Sequence, residues 1–499
     1  MANISKIQIS SGAYDLKDEK AIHSFNTLND LKTSTYINNG DYVKTLGYYS
    51  INDGGDAYYL VREKEVSDVP NNNDIIALNN ENLIAEIIVA DELNAKQFGC
   101  YGNNTNDDTT NLQNAIDYCE LNKYNLVIPS GNYKISAPLE ITGCNIRGYY
   151  KNTFLWLYNS DGLHLKPYLE QTVCEIKGLS FYSNDSTHYL EMCGIDILQS
   201  SDTNRSRGYN IHECYFENLG CAIEINDAFR TTVKDININN CFRSLFIKNQ
   251  TVQSYFNNIV SNYDSPNGLT STRYGNKAIG IQVGVENFTQ RCEGIKIEAC
   301  CMTGHEIGLY IYDCLFCNVL GCEFDLCRKE GVIVFSHEGN CNIKNNWIAT
   351  QSYTDEPIID VQTSNTTTKF RLNIESNLIG CLNGNLNKIG IAVGRIADFY
   401  FKNNVNIFNN TIKTFSGSTP LKYGIYVDRG RNCTIINNNA FGCSTADIYF
   451  APDQKGILNN NIVDNLEIIV YSGTTLYAYS NLATTITKSI AGTLIGDIE

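Results

Sequence analysis

No stretch of this 499-residue chain is apolar for the roughly 18 residues that a membrane-spanning helix needs, so membrane insertion is not expected. Basic charge is also short: 38 lysines and arginines stand against 54 acids, for a net charge of −16. Without a basic patch to offset phosphate repulsion, nucleic acid is excluded as a partner. Residues 1–20 are polar and lack the apolar core of a secretion signal, which implies synthesis in a reducing cytosol. There are eight prolines and three methionines, and charged residues reach only 18 % where a quarter is usual. Such a deficit fits a chain with many positions facing an internal stack. At this length, one elongated domain with smaller ends is more plausible than three globular ones.

Cysteine is not scarce, yet its pattern excludes the usual uses. Nineteen is an odd number, no secretion signal precedes them, and Cys314-x-x-Cys317 has no second CxxC or histidine pair at zinc-binding distance. Only His305 and His337 lie nearby. Thiols packed in a core as small hydrophobes account for them better than a metal, and no metal or cofactor is expected.

Residues 98–136 carry the clearest local order. The loop Phe98-Gly99-Cys100-Tyr101-Gly102 leads to a helix cap at Asp107-Asp108-Thr109. Leu112, Ala115, Ile116 and Cys119 then recur at i, i+3, i+4 and i+7, which predicts a helix over about 108–120 with one buried stripe. A short apolar strand, the turn Pro129-Ser130-Gly131 and a strand through Tyr133 and Ile135 follow. This FGCYGNNTNDDTTNLQNAID…PSGNYKIS text resembles the opening of the pectate-lyase-like right-handed parallel β-helices. The resemblance implies an architecture and not a reaction.

Rungs should then recur, and two series do. Cys214, Asn240, Asn258, Cys300, Cys322, Asn346, Asn377, Asn410, Asn439 and Asn461 are each followed two places on by a large apolar residue, mostly in steps of 22–33 residues. Asparagines at a fixed bend can hydrogen-bond one another from rung to rung. Upstream of them a small-apolar-x-apolar strand repeats, as in Gly194-Ile195-Asp196-Ile197, Ala222-Ile223-Glu224-Ile225, Gly280-Ile281-Gln282-Val283 and Gly308-Leu309-Tyr310-Ile311. The expected fold is all-β: a single-stranded right-handed parallel β-helix over 94–465, a small N-terminal α/β module over 1–93, and a short β-rich end over 466–499.

Within the N-terminal segment, residues 26–33 predict a short helix, and two strands flanking Asp53-Gly54 predict a hairpin. The text GDYVKTLGYYSINDGGDAYYLV resembles the module preceding β-helices in bacteriophage tailspikes. SKIQISSGAYDLKD resembles openings of tail proteins from phages of low-GC Gram-positive bacteria. These resemblances imply a tailspike in a virion, attached through its N-terminus to a tail or baseplate protein and released by lysis. They also imply a homotrimer, with the apolar tail at 466–499 packed on the last rung or on neighbouring chains.

Candidate chemistry rests on acids. Asp196 and Glu224 fall at the same outward position on successive rungs, where strands about 4.8 Å apart would bring carboxylates to the spacing of a retaining glycosidase. Solvent is expected above them, with Arg205, Arg207 or Lys234 relieving the charge. A second set is Glu298, Glu323 and Asp325, with Arg328 nearby and with Glu323 and Asp325 opposite the core side of Phe324. A polar loop at 263–276 breaks the rung spacing, and Tyr263 and Tyr274, with Tyr310, are candidates to stack on sugar rings. The reading is a spike that binds and hydrolyses a bacterial surface polysaccharide. A non-catalytic receptor-binding spike and a bacterial polysaccharide lyase or hydrolase remain alternatives, although no clustered basic pair suits a lyase.

Overall fold

A computed structural model describes residues 6–9, 12–15 and 22–496, except 167–172, 184, 186–187, 200–205, 267, 286–289, 337, 352–353, 364–369, 384–386, 395–400, 417–418, 429 and 453–454. Arg205 and His337 lie outside the described residues, as does the side chain of Arg207. The chain divides into two compact units, residues 1–133 with 144–148 and residues 134–143 with 149–499.

In the first unit, strands Tyr42–Thr45 and Ala57–Glu63 pair antiparallel as the hairpin that Asp53-Gly54 signals. The Asp53 carboxylate shapes the turn by accepting the amides of Tyr48, Tyr49, Ser50 and Gly55. The short helix is Leu28–Lys32, closed by a reciprocal cap between Thr27 and Asp30. The longer helix is Thr109–Asn122, and it buries Leu112, Ala115, Ile116 and Cys119, the stripe its spacing predicts. Strand Asn125–Val127 pairs in parallel with both Glu92–Asn94 and Ile146–Arg147.

The second unit is a right-handed parallel β-helix. Each coil lays down three strands, and each strand pairs in parallel with its counterpart one coil later, giving three faces. Face A holds Cys193–Ile197, Cys221–Asn226, Arg243–Lys248, Ile279–Val283 and Ile307–Tyr312. Face B holds Ile295–Glu298, Phe316–Leu320, Gly339–Lys344 and Phe370–Glu375. Face C holds Cys301–Thr303, Glu323–Cys327, Trp347–Thr350 and Leu378–Asn383. The pairing runs on through Ile462–Val470 to Leu482–Ile490 and through Thr475–Tyr479 to Thr493–Ile495, so the two runs split by Ser472-Gly473 extend the same ladder.

At the bend from B to C, one residue adopts a left-handed backbone and the next points into the core. In successive coils the left-handed residues are Asn345, Ser376, Asn409, Asn437, Asn460 and Ser480. The inward residues Asn346, Asn377, Asn410, Asn438, Asn461 and Asn481 form one line, each donating to the next Oδ1 at 2.9–3.1 Å. The second amide proton goes to a face-B carbonyl of the preceding coil, as from Asn377 to Ile343 at 2.9 Å. Further towards the N-terminus, Cys322, Cys300 and Cys214 aim their thiols at the corresponding carbonyls. All nineteen cysteines are free and only Cys301 is not buried, in keeping with core thiols.

Three expected ladder members stand elsewhere. Asn439 is one residue late and pairs as strand backbone, while Asn438 holds the ladder place. Asn258 is itself the left-handed residue; Ile259 after it is buried, and Val260 is 43 % exposed. Asn240 sits at a separate left-handed bend, bonded to Asn218. Spacing by two cannot distinguish these places, because a left-handed turn interrupts the alternation of a strand.

The small residue of the other repeat has a steric cause. A Cβ on Gly194 would come within 2.5 Å of the Phe216 ring, and one on Gly280 or Gly308 within 2.9 Å of Met302 or Phe324. The small position on face A and the large apolar residue on face C are two halves of one contact.

Replacing Asn438 by alanine should cost about 1–3 kcal/mol, because it strands buried donors and acceptors on both neighbouring coils. Asn439→Ala should cost no more than about 0.5 kcal/mol. Urea unfolding of the two variants checks the assignment, and equal losses would contradict it.

Candidate functional site

Alternation along face A sets one outward residue per coil in register: Glu140, His164, Asp196, Glu224, Phe246, Gln282 and Tyr310. Asp196 and Glu224 are neighbours there, as the repeat predicts. Their surroundings differ from the expectation of open solvent, since Asp196 is 6 % and Glu224 2 % exposed. The cause is the loop over 263–278, which leaves face C after Asn262 and folds across this part of face A before the next strand begins.

The loop is held by packing of Tyr263, Tyr274 and Ala278 against Phe242 and Phe246, and by ion pairs. Glu191 accepts the amides of Thr272 and Arg273 and the Thr272 hydroxyl. The Arg273 guanidinium then reaches Asp161 at 2.8 Å, Asp196 at 2.7 Å and Glu224 at 3.1 Å. Tyr274 donates its hydroxyl to Glu224 at 3.0 Å, and Lys248 pairs with the other Glu224 oxygen. The Asp196 and Glu224 oxygens meet the same arginine nitrogen, so they are within about 6 Å of each other. Beneath them, His164 bridges Glu140 at 3.0 Å and Asp161 at 3.2 Å.

Burial, and then the charge of Glu224, push the Asp196 carboxyl up to about 6 against the pull of Arg273 and Lys248. Burial would raise Asp161 too, but hydrogen bonds from His164 and Arg273 and the Cys193 amide outweigh it and lower that group. His164 moves up, since bonds to Asp161 and Glu140 outweigh its burial. Ligand atoms of Asp161, His164 and Asp196 lie within 4.8 Å of one another, close enough for a divalent cation. The Arg273 guanidinium bonds two of the three and already supplies positive charge there.

Glu298, Glu323 and Asp325 are not gathered into one cluster. Glu298 stands on face B and accepts the Tyr255 hydroxyl at 2.8 Å. Glu323 and Asp325 lie on face C, flanking buried Phe324; Glu323 is exposed and Asp325 accepts the Trp347 indole at 3.0 Å. Tyr263 and Tyr274 are each only 2 % exposed, so neither ring is open for stacking, contrary to expectation. Arg328 donates to the Ser265 and Tyr263 carbonyls and lies over the Tyr263 ring, which makes it a brace for the loop. Tyr310 is half-buried, edge-on to Tyr312. Lys234, expected near the acids, sits on face B. The groups that neutralise them are Arg273 and Lys248. His164 was legible from Leu163-His164-Leu165, whose alternation puts it one coil below Asp196; Arg273 had no local signal beyond its place in the loop.

No protein-family model matches the chain, and no curated protein sequence does. Solved structures do. The surface adhesin PfbA of Streptococcus pneumoniae is 12 % identical, covers 82 % of this chain and 100 % of its own, and gives a TM-score of 0.45. Tailspike protein 2 of Escherichia coli O157:H7 bacteriophage CAB120 is 12 % identical over 88 % of this chain and 56 % of its own, with a TM-score of 0.45. The A-module of the Azotobacter vinelandii mannuronan C-5 epimerase AlgE6 is 15 % identical over 81 % and 99 %, with a TM-score of 0.46. At such identities the likeness is one of fold.

The raised Asp196 has a signed consequence. Its folded form holds its proton to higher pH than the unfolded form, so stability falls as pH rises from about 4 through 6. Asp196→Asn removes that loss. Relative to the parent chain, the variant should gain on the order of 2–3 kcal/mol between pH 4 and pH 7. Urea midpoints at both pH values measure this, and parallel pH profiles would refute it.

Proposed function

We propose that the chain is a bacteriophage tailspike that binds and hydrolyses a bacterial surface polysaccharide during host adsorption. The observation that carries the hydrolytic part is the in-register pair Asp196 and Glu224, whose carboxylates share one guanidinium nitrogen. A retaining glycosidase needs two carboxyl groups about 5–5.5 Å apart, one protonated and one ionised. Asp196, held up at about 6, suits the acid that protonates the leaving oxygen, and Glu224, facing Lys248 and Arg273, suits the nucleophile. The loop carrying Arg273 and Tyr274 must lift for a sugar to reach them. The N-terminal text supports the virion assignment, with a tail or baseplate protein as the partner of that module.

The second reading is a receptor-binding spike without hydrolysis, and the burial of both carboxylates favours it. There the ion pairs would only fix the loop.

Release of reducing ends from purified host polysaccharide separates the two. Asp196→Asn and Glu224→Gln should each lower cleavage about 100- to 10,000-fold while binding persists. Parent activity should decline as pH rises through about 6, where Asp196 loses its proton. Full cleavage by both variants would eliminate this pair.

We also propose a homotrimer. The last coil leaves Tyr479, Leu482, Ile490 and Ile495 between 37 % and 67 % exposed, and a solenoid end of that kind calls for a cover. Light scattering should give three times the 55.8 kDa chain mass. A clean monomer at micromolar concentration would defeat the assignment. Deleting residues 466–499 should yield monomers or aggregates.

A further inference from the structure

Face B carries a second feature, separate from the acid pair. Its outward positions include Asn318, Asn342, Asn373 and Asn406, which fall in register on successive coils. Their amides form an outer ladder: Asn342 donates to Asn318 at 2.6 Å, Asn373 to Asn342 at 2.7 Å and Asn406 to Asn373 at 2.7 Å. An asparagine side chain has two protons to donate and two lone pairs. The ladder uses one of each at its inner members, and among the described residues the others have no partner. Spare donors and acceptors therefore repeat at the strand pitch of about 4.8 Å.

Asn318, Asn342 and Asn373 line a groove of about 440 Å³ with Lys296, Glu298, Leu320, Lys344 and Glu375. A second groove of about 620 Å³ adjoins it, sharing Lys296 and Glu298 and adding Tyr255. Glu298 is held by the Tyr255 hydroxyl and Glu375 by Lys344, while the Lys296 ammonium has no ion-pair partner among the described residues. Both volumes are those of ordinary ligand sites.

We propose that this groove is a non-catalytic glycan-anchoring site, in which a hydroxyl-rich saccharide chain lies along the helix axis. Alternating hydroxyl donors and acceptors match the spare valences of stacked amides, and the mixed charges favour neither an anionic nor a cationic polymer. A protein partner would want an apolar, charge-depleted centre, and this centre is amide and ion pair. The inference rests on the polysaccharide reading above, but not on its hydrolytic part.

The test uses the full chain on an array of purified bacterial surface polysaccharides. Asn318→Arg puts a long cationic side chain into the groove and leaves the bonds among Asn342, Asn373 and Asn406 in place. It should weaken binding about tenfold or more without changing melting temperature or oligomer mass. Where the parent chain cleaves the glycan, cleavage at saturation should be retained, with KM raised and kcat unchanged. Asn342→Ala with Asn373→Ala should weaken binding likewise. Unaltered binding in both variants overturns the groove, as does failure of the parent chain to bind any polysaccharide. A fall in oligomer mass with Asn318→Arg would instead make this face a contact between copies, and also overturns it. If Asp196→Asn and Glu224→Gln cleave normally while Asn318→Arg binds weakly, the hydrolytic pair fails and the groove stands.

Discussion

A coiled chain that turns three times per coil must satisfy its backbone at every turn, and it must do so where no water reaches. The bend from face B to face C solves this with two consecutive residues. The first takes a left-handed backbone, which asparagine and serine tolerate better than branched side chains. The second turns its amide inward and bonds both the next amide and a carbonyl of the coil before. Every later feature needs the coils to stack in constant register, and this line of bonds is one that a slipped coil would break. Where cysteine replaces asparagine the same carbonyls are met by weaker thiol donors, and packing takes the larger share.

This economy explains what was readable from residues alone. The helix stripe, the hairpin at Asp53-Gly54, the repeat and the pairing of Asp196 with Glu224 all follow from local periodicity. The errors at Asn258 and Asn439 share one origin: at the bend, a single left-handed residue shifts the inward position by one, and asparagine is favoured at both places. Asn240 failed differently, because a second bend elsewhere in the coil selects the same residue type. The acid pair was legible and its burial was not. Burial depends on a loop some fifty residues later in the chain, and no strand periodicity reports where such a loop folds.

The faces divide the chemistry. Face A gathers carboxylates under a loop, and there the low-dielectric surroundings strengthen each ion pair and raise Asp196. Face B keeps its charges at the surface, where water screens them and amides do the orienting. One β-helix therefore offers a closed, polarising environment on some coils and an open, hydrogen-bonding one on others.

The fastening of the loop is the more informative contrast. Taking Asp196 and Glu224 out of water is costly, and apolar side chains of similar size would hold a loop at least as firmly. The next coils carry hydrocarbon on the same face: Ile279, Ile307 and Ile333 pack as an apolar cluster, with Tyr310 against it. The loop over the acid pair combines both means: Tyr263, Tyr274 and Ala278 pack with Phe242 and Phe246, and ion pairs tie down its Arg273 end. An ionic closure differs from an apolar one in what opens it. Deprotonation of Asp196 sets a second buried charge beside Glu224 and so weakens the closed form, and a polar ligand can replace a partner of Arg273, whereas neither acts on packed isoleucines. The ionic segment is accordingly where ligand and pH have leverage on the loop, and it coincides with the two carboxylates best placed for chemistry.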